Sequence, residues 1–317
     1  MTTTSGTTGF SPDFTEIAEE AWERAGRELR SGYDLRTARR SMNFLTIEWQ
    51  NRGLDMWTFD EGTVTLQQGL NTYPLPEDTI DLLDHVIRTN ANQQNNQADL
   101  NITRISISTY ATIPNKLVQA RPIQVWVQRA AGETSPMYDS SNAAITVASA
   151  VSTTDTTITL TSTVGFPAFG YVLLGSETIF YSYITGNVLE NCFRAQNNTT
   201  ASSYTTTTKV YLQRLPAFTV WPTPDGSTTY TFVYWRMRRI QDAGNGVEIP
   251  DMNFRFLPAL VSGLAFYIAS KTPELQSRVE MLKAQYEEQF NFAAGEDREK
   301  AAIRFVPRQM FIGGGST

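Results

Sequence analysis

The sequence predicts an α+β protein that combines a helix-bundle core, a small antiparallel β-sheet and an inserted all-β domain of barrel or sandwich type. Two observations predict this class. Apolar residues recur at helical spacing near both ends of the chain, and the segment between them, 140–212, has a different composition. Sixteen residues of this segment are threonine, and only five are charged: Asp155, Glu177, Glu190, Arg194 and Lys209.

Composition and charge limit the classes of function. A chain of 317 residues buries about three quarters of its unfolded surface, which is enough for a full core. The net charge of −6 gives no general attraction to nucleic acid. One cysteine excludes an internal disulfide and a cysteine-based zinc site. No signal peptide is expected, and the longest apolar stretch, 257–269, is shorter than the ~20 residues that span a bilayer.

The N-terminal part is predicted to be an extended arm, residues 1–12, followed by a helix. Asp13 is a candidate N-cap with Glu16 three residues further on, which is close to the pattern of a capping box. We expect Gly26 or Gly32 to end this helix. Its apolar stripe consists of Phe14, Ile17, Ala18, Ala21, Trp22 and Ala25.

A second helix is predicted after Asp34. Its apolar residues repeat in steps of three and four, and Gly53 is suited to the position that follows the helix. The stripe consists of Leu35, Ala38, Met42, Leu45 and Trp49. Because only a short turn separates the two helices, we expect them to pack as a hairpin.

Short strands are predicted in the segments that flank the insert, where the apolar period changes toward two. Residues 80–87 are favoured as a strand, because Pro74 and Pro76 precede them and the segment ends in β-branched residues. The turn at 222–226 contains two prolines and Asp-Gly, which predicts a hairpin between two aromatic runs. The other predicted strands lie within 57–67, 73–75, 102–108, 123–127, 218–221 and 229–236.

Residues 131–139 are predicted to be a linker into the inserted domain, 140–212, because they contain Gly132, Ser135 and Pro136. Strand-like runs alternate with turn residues in the insert, and this spacing predicts a small barrel or sandwich. The runs are 144–148, 156–160, 171–174, 178–184, 188–193 and 209–212. The flanks, 13–130 and 213–302, are expected to meet as one discontinuous core.

The last part of the chain is predicted to contain two helices and a tail. One helix covers about 253–269, and the other begins near Thr272 with Pro273 in its first turn. Residues 303–317 are apolar without a predicted helix that would bury them, so the tail is either disordered or docks into a neighbour, and docking is favoured. The candidate docking residues are Ile303, Phe305, Val306, Met310 and Phe311.

No residue pattern predicts catalysis, a cofactor or a metal site. Adjacent carboxylates such as Glu287 and Glu288 do not face each other on a helix, so a solvated surface is the better interpretation. His85 lacks neighbouring ligands and is expected to be packed, and Cys192 is expected to be a small core residue. The P-loop, GxGxxG and GxSxG motifs do not occur.

Two groups of arginines remain. Arg36, Arg39 and Arg40 open the second helix. The other group ends a predicted strand and consists of Arg236, Arg238 and Arg239. Phosphate contacts are one interpretation, but an acidic chain without interleaved stacking aromatics favours surface ion pairs or contacts to an acidic protein.

Several short motifs, taken in their order and spacing, resemble the head-to-tail adaptor proteins of tailed bacteriophages, especially those of short-tailed phages. The matching segments are 49–57, 73–76, 110–116, 121–122, 220–225, 257–265 and 286–288. Together with their surroundings they cover most of 10–130 and 213–307.

This resemblance implies a structural protein of the virion at the head-tail junction, assembled in the host cytoplasm and without a membrane partner. Such proteins form a ring, usually of twelve copies, between the portal and the tail nozzle. The ring prolongs the DNA channel, and DNA passes without sequence-specific contact. The tail at 303–317 would reach the portal. Arg36, Arg39 and Arg40 become candidates for contacts with the channel or between subunits.

The insert is similar to small β modules of phage virion proteins in segments 163–167, 175–181, 186–187 and 192–195, whereas a minimal adaptor has only a short loop there. The candidate surface residues of the insert are Thr163, Phe166, Asn187 and Arg194. An alternative function is therefore a virion adhesin or fibre-docking module whose insert binds a glycan or a protein. A wall hydrolase is a third hypothesis, and the missing catalytic residues argue against it.

Overall fold

The computed structural model describes residues 6, 9–53, 56–130 and 132–297. The described chain is α+β, as predicted, with five α-helices and several small sheets. It forms two compact units. The helical unit contains the described residues of 1–57 and 240–317, and the β unit contains those of 58–239. The domain limits predicted from the sequence stay predictions.

Long helices lie near both ends of the described chain, and strands lie between them. The helices are α1 (Phe14–Ala25), α2 (Gly32–Asn51), α3 (Ile107–Thr112), α4 (Leu257–Lys271) and α5 (Val279–Glu296). Short 3-10 helices cover Met56–Thr58, Phe254–Phe256 and Pro273–Arg278. The strands are β1 (Phe59–Thr65), β2 (Thr72–Pro74), β3 (Thr79–Thr89), β4 (Ala98–Asn101), β5 (Thr103–Arg104), β6 (Gln124–Gln128), β7 (Thr134–Pro136), β8 (Ile158–Thr159), β9 (Gly170–Leu174), β10 (Glu177–Tyr181), β11 (Tyr183–Thr185), β12 (Val188–Glu190), β13 (Phe193–Gln196), β14 (Val210–Gln213), β15 (Ala217–Trp221) and β16 (Tyr230–Arg238).

The ends of the first two helices follow the sequence signals closely. Asp13 caps α1 in a capping box with Glu16, and Gly26 ends the helix with a left-handed φ of 100°. Helix α2 begins earlier than predicted, because the Ser31 side chain caps it and Asp34 lies in its first turn. Gly53 follows α2 with a φ of 79°, as predicted.

The core of the helical unit is apolar and is built around α4. Helices α1, α2 and α5 all pack on α4, whose residues are buried on nearly every side. Gly263 permits close packing, because a Cβ at this position would lie 2.9 Å from Leu45 Cδ2 and 2.9 Å from Tyr286 Cε2. Trp49 lies between the rings of Phe256 and Phe290, and its Nε1 donates a hydrogen bond to Tyr286 Oη at 2.8 Å. The predicted apolar stripes of α1 and α2 are thus confirmed as core residues.

The flanks of the insert form two four-stranded sheets rather than the one small antiparallel sheet that was predicted. Their strand orders are β1-β16-β3-β4 and β2-β15-β6-β5. The pair β5 and β6 is parallel. Both sheets contribute to one core, in which the rings of Phe218 on β15 and Phe232 on β16 stack with centroids 4.3 Å apart.

The hairpin predicted across 222–226 is wrong. Strand β15 pairs with β2 and β6, whereas β16 pairs with β1 and β3, so the two strands belong to different sheets. The turn residues predict that the chain changes direction, but not that β15 and β16 pair with each other. Both edges of each strand are occupied by strands from elsewhere in the chain.

The strand predicted over 102–108 is also wrong beyond its first residues. Only β5 pairs there, and α3 starts at Ile107. The cause is local, because the Ser106 side chain accepts a hydrogen bond from the Thr109 backbone N–H at 3.2 Å and so caps a helix. Capping by serine at this position overrides the alternation of isoleucine with polar residues.

The insert consists of two sheets around its own apolar core. The five-stranded sheet has the order β13-β10-β9-β14-β7, and the three-stranded sheet has the order β11-β12-β8. Side chains from both sheets, among them Ile158, Val172 and Leu189, form one cluster. Cys192 lies in this cluster, as predicted, and burial raises the pKa of its thiol to about 12.

The predicted linker, 131–139, contains a strand of the insert. Strand β7 pairs with β14, with Thr134 opposite Gln213. The residues next to this pair, on the side away from the insert, are also hydrogen-bonded. Gly132 N donates to Arg214 O at 2.9 Å, and Arg214 N donates to Glu133 O at 2.8 Å. The chain therefore enters and leaves the insert through two adjacent, hydrogen-bonded segments, which we call the stem.

Candidate interaction surfaces

The described residues contain no group of three or more His, Cys, Asp and Glu side chains that would hold a metal ion. His85 lies buried in β3, 6.1 Å from the ring of Phe232, and burial lowers the pKa of its imidazole. It is packed, as predicted.

Tyr171 on β9 fastens the insert to the flanking sheets of the β unit. Its hydroxyl accepts a hydrogen bond from Leu75 N at 3.0 Å and lies 2.9 Å from Leu75 O and 2.5 Å from Pro216 O. The side chain is fully buried, and its ring meets Phe180 edge to face at 4.9 Å. Burial raises the pKa of this hydroxyl far above its ordinary value. The insert is held by a directional contact in addition to the stem.

Arg194, which the sequence suggested for the insert surface, points into the insert. Its side chain is 9% exposed, and that of its partner Glu177 is 0% exposed. The guanidinium and the carboxylate form a bidentate pair, with Nε and Nη2 of Arg194 each 2.8 Å from a carboxylate oxygen. The surface position predicted for Arg194 is thus corrected to an internal one, because an opposite charge lies within the same sheet.

Glu177 accepts three further hydrogen bonds. Its donors are Ala195 N at 3.0 Å, Ser202 N at 3.1 Å and Tyr204 Oη at 3.0 Å. Burial alone would raise the pKa of Glu177, but Arg194 and the other donors more than offset it and hold the pKa below its ordinary value of 4.5. The carboxylate therefore stays ionised and joins β10 to β13 and to the loop that precedes β14.

The other predicted surface residues of the insert lie at two neighbouring turns. Thr163 Oγ1 donates to Gly186 O at 2.9 Å, which brings the turn at 163–166 next to the exposed Asn187. Phe166 is half-buried, with its ring 6.4 Å from that of Tyr181. Thr163 and Asn187 thus share one edge of the insert, and the ring of Phe166 packs against Tyr181 next to this edge.

The two arginine groups have different surroundings. Arg236 Nη2 and Arg238 Nε lie 3.2 Å and 3.3 Å from Asp60 Oδ2, so the predicted surface ion pairs are confirmed there. In the helical unit, Arg39 Nη1 donates to Gly244 O at 3.2 Å. Arg36 and Arg40 are exposed on α2, and neither forms an ion pair with a residue that the structure describes.

A groove on the helical unit was not predicted from the sequence. It lies between α1 and the start of α4, with a volume of about 610 Å³. Its acidic side is formed by Glu16, Glu19, Glu20 and Glu23 of α1. The signal was visible, because these four residues recur at helical spacing opposite the apolar stripe. The predicted docking residues Ile303, Phe305, Val306, Met310 and Phe311 lie outside the described residues.

The comparison with protein families identifies the class of protein. Residues 107–308 match the family described as SU10 adaptor protein, a segment that begins in the β unit and continues through α4 and α5. No curated protein matches the chain. Within the described residues, no helix combines the length and the apolar character needed to traverse a bilayer.

The fold and the family together define a structural adaptor protein of bacteriophages. The chain belongs to the SU10 adaptor protein family, because the match covers more than half of its 317 residues. The resemblance to phage adaptors noted in the sequence is thereby confirmed, and the protein is a component of the virion that contacts portal and tail components.

Proposed function

We propose that the chain is a head-to-tail adaptor that forms a ring, of twelve copies, between the portal and the tail nozzle. The family match carries this proposal, since it includes strands of the β unit and both C-terminal helices. The ring extends the DNA channel and offers a platform to which the nozzle and tail fibres attach. The packed helices of the helical unit build the ring wall.

The charge of the chain supports passage of DNA during ejection without retention. The net charge is −6, and Arg236 and Arg238, which end β16, are paired with Asp60 and Asp78. Because these paired arginine side chains are less free to contact phosphates, fewer counterions are released from the DNA when it passes. The affinity of the protein for the duplex therefore stays low. Residues 303–317 reach the portal through Ile303, Phe305, Val306, Met310 and Phe311.

The decisive experiment mixes the purified full-length chain with the portal ring of the same virion. Electron microscopy is expected to show a closed ring of adaptor copies on one face of the portal. A chain that remains monomeric beside intact portal rings overturns the proposal. Replacing Phe305 and Phe311 by serine tests the docking role, and we expect a loss of portal binding with an unchanged circular dichroism spectrum.

A second candidate function concerns the insert, which would bind a tail fibre, a host glycan or another protein. The observation that favours it is that the insert has an apolar core of its own and that both of its ends pass through the hydrogen-bonded stem. Because Thr134 faces Gln213, residues 135–212 can be replaced by an Asn-Gly turn that closes a two-stranded hairpin.

This deletion separates the two functions. If the shortened chain still forms the ring on the portal and only fibre or host attachment is lost, the insert is an accessory binding module. If the ring no longer forms although the shortened chain is folded, the insert belongs to the assembly machinery and the adhesin hypothesis is abandoned. Circular dichroism of the shortened chain distinguishes this second outcome from misfolding.

A further inference from the structure

Helix α2 carries an exposed stripe that the core of the helical unit does not use. Tyr33, Phe44 and Ile47 are 64%, 59% and 52% exposed. Arg36 and Arg40 lie between them at helical spacing, so the five side chains share one face over about 21 Å. We call these five residues the α2 stripe. An aromatic and basic face of this length on a soluble helix is typical of a binding surface.

The groove between α1 and α4 has complementary chemistry. Its apolar residues are Phe10, Ile17, Phe254, Leu257 and Val261, and of these Phe10 and Phe254 are largely exposed. The four glutamates of α1 line its acidic side. Glu16 is engaged with the Asp13 backbone and Glu20 with Arg24, whereas Glu19 and Glu23 form no ion pair with a described residue.

The stripe and the groove lie toward opposite ends of α4. The ring of Phe44 lies 5.9 Å from Lys271 Nζ, in the last turn of α4, whereas Leu257 in its first turn lines the groove. Fourteen residues of helix separate these two positions, which is about 21 Å. No residue of the stripe lines the groove. One copy therefore presents two different surfaces that two other copies can engage.

We propose that the α2 stripe of one copy docks into the groove of the next copy, so that Arg36 and Arg40 face Glu19 and Glu23. This inference rests on the proposed ring, for which it supplies the contact between subunits. Both charged pairs have i, i+4 spacing, so their side chains are separated by the same ~6 Å along the helix. A contact between two different surfaces repeats head to tail, and such a contact closes into a ring when the rotation allows.

Charge reversal tests the pairing in the full chain. The stripe variant carries Arg36→Glu with Arg40→Glu, and the groove variant carries Glu19→Arg with Glu23→Arg. Each should reduce ring formation on the portal at least tenfold, because like charges then face each other. The fourfold variant has the same net charge as the original chain and should recover most of the loss. Arg30→Glu, an exposed reversal outside the stripe, is the matched control and should assemble normally.

A mixture of the two variants tests the direction of the contact. Each variant alone brings like charges together, but in a 1:1 mixture every stripe can meet a groove of opposite charge, so rings in which the two variants alternate should form, as measured by native mass spectrometry. A mixture that yields only pairs or single copies, or normal assembly by every variant, overturns the inference while the adaptor function stands. Loss of assembly by the groove variant alone also overturns it, because the groove then holds another segment, such as residues 303–312.

If the unmodified chain forms no ring on the portal, the proposed function is contradicted. A crosslinking experiment then still tests the contact between copies. Copies with Arg40→Cys and copies with Glu19→Cys are mixed and treated with a short bis-maleimide. The native Cys192 is buried and the pKa of its thiol is about 12, so it stays unreactive. A crosslinked dimer supports the contact, and Arg30→Cys in place of Arg40→Cys should give at least tenfold less. Equal yields overturn it.

Discussion

The helical unit and the insert are stabilised by different kinds of interaction. The core of the helical unit is almost entirely apolar, with Trp49 and Tyr286 supplying one buried polar contact across α2 and α5. The insert also has an apolar core, but in addition it buries an ionised carboxylate that accepts hydrogen bonds from five donor atoms. Apolar packing is non-directional, whereas a buried charge is stable only when its counter-charge and hydrogen-bond partners are all in place.

This contrast explains where free charge remains for binding. Among the five charged residues of 140–212, Glu177 and Arg194 form an internal salt bridge with each other. In the helical unit, Arg36, Arg40, Glu19 and Glu23 remain on the surface. Under the proposed contact between copies, stability and recognition use separate residues in the helical unit, whereas the insert uses two of its five charged residues to fix its own shape.

The sharpest test of the contrast is Glu177→Ala. It leaves Arg194 buried without a counter-charge, so we expect the free energy of unfolding to fall by about 3–5 kcal/mol, as measured by urea denaturation. Glu133→Ala is the control, since Glu133 and Arg214 form a long, exposed pair at 3.9 Å and its loss should cost less than about 1 kcal/mol. Equal effects of the two substitutions would show that the buried pair contributes no more to the free energy of unfolding than the exposed pair does.

The same residue predicts a pH dependence. The pKa of Glu177 in the folded chain lies below its ordinary value of 4.5, so the folded state holds the ionised form more tightly than the unfolded state does. Its contribution is therefore complete above pH 4.5 and is lost as the pH falls through the folded pKa. We expect the stability difference between the original chain and Glu177→Ala to shrink as urea titrations move from pH 6 toward about pH 3. A constant difference would contradict an ionised Glu177.

In the helical unit the corresponding change is Leu45→Ala. Leu45 is fully buried against Gly263, so the substitution leaves a cavity and should cost about 3 kcal/mol. Ile47→Ala on the exposed face of the same helix should change stability by less than about 0.5 kcal/mol. Unlike the effect at Glu177, the loss at Leu45 should be the same at pH 4 and pH 7, which circular dichroism melts can show.

Tyr171→Phe tests the joint between the insert and the flanking sheets. The substitution removes the buried hydroxyl that donates to Leu75 O or Pro216 O, and a loss of about 1–3 kcal/mol is expected. Hydrogen exchange should accelerate in β9 and at Leu75 before it changes elsewhere. Tyr183→Phe removes an exposed hydroxyl from the same insert and should leave both measurements unaltered.

The smallest effect is expected at the start of α1. Asp13→Ala removes the acceptor of the Glu16 N–H, 2.8 Å away, and should lower the melting temperature by an amount that corresponds to about 1 kcal/mol. Glu19→Ala, which leaves the capping box intact, serves as the comparison. If both substitutions lower the melting temperature equally, the cap contributes no more than an ordinary surface residue.

Local features of the sequence predicted local structure well. The stripes of α1 and α2, the capping box at Asp13 and the stops at Gly26 and Gly53 all depend on residues within one or two turns of each other. The strand over 80–87 was found for the same reason, because composition and flanking prolines act over short distances. Such signals need no knowledge of which segment will lie alongside.

Strand pairing could not be read in this way. The aromatic runs around 222–226 look like one hairpin, yet all four neighbours of β15 and β16 come from segments more than 80 residues away in the chain. The position of Arg194 depends on Glu177, which a register shift in β10 and β13 brings alongside it. Two opposite charges in a nearly uncharged segment were the available hint of that pairing.

The stem gives the molecule a property that its amino-acid chemistry alone would not suggest. Because Thr134 and Gln213 are direct partners in one antiparallel ladder, the β unit offers an attachment point whose two ends are only about 5 Å apart. A foreign domain with similarly adjacent termini can be inserted there without separating the two ends, at the cost of the contacts of Tyr171 with Leu75 and Pro216. Such a chain would serve as a scaffold for displaying antigens or enzymes on a virion.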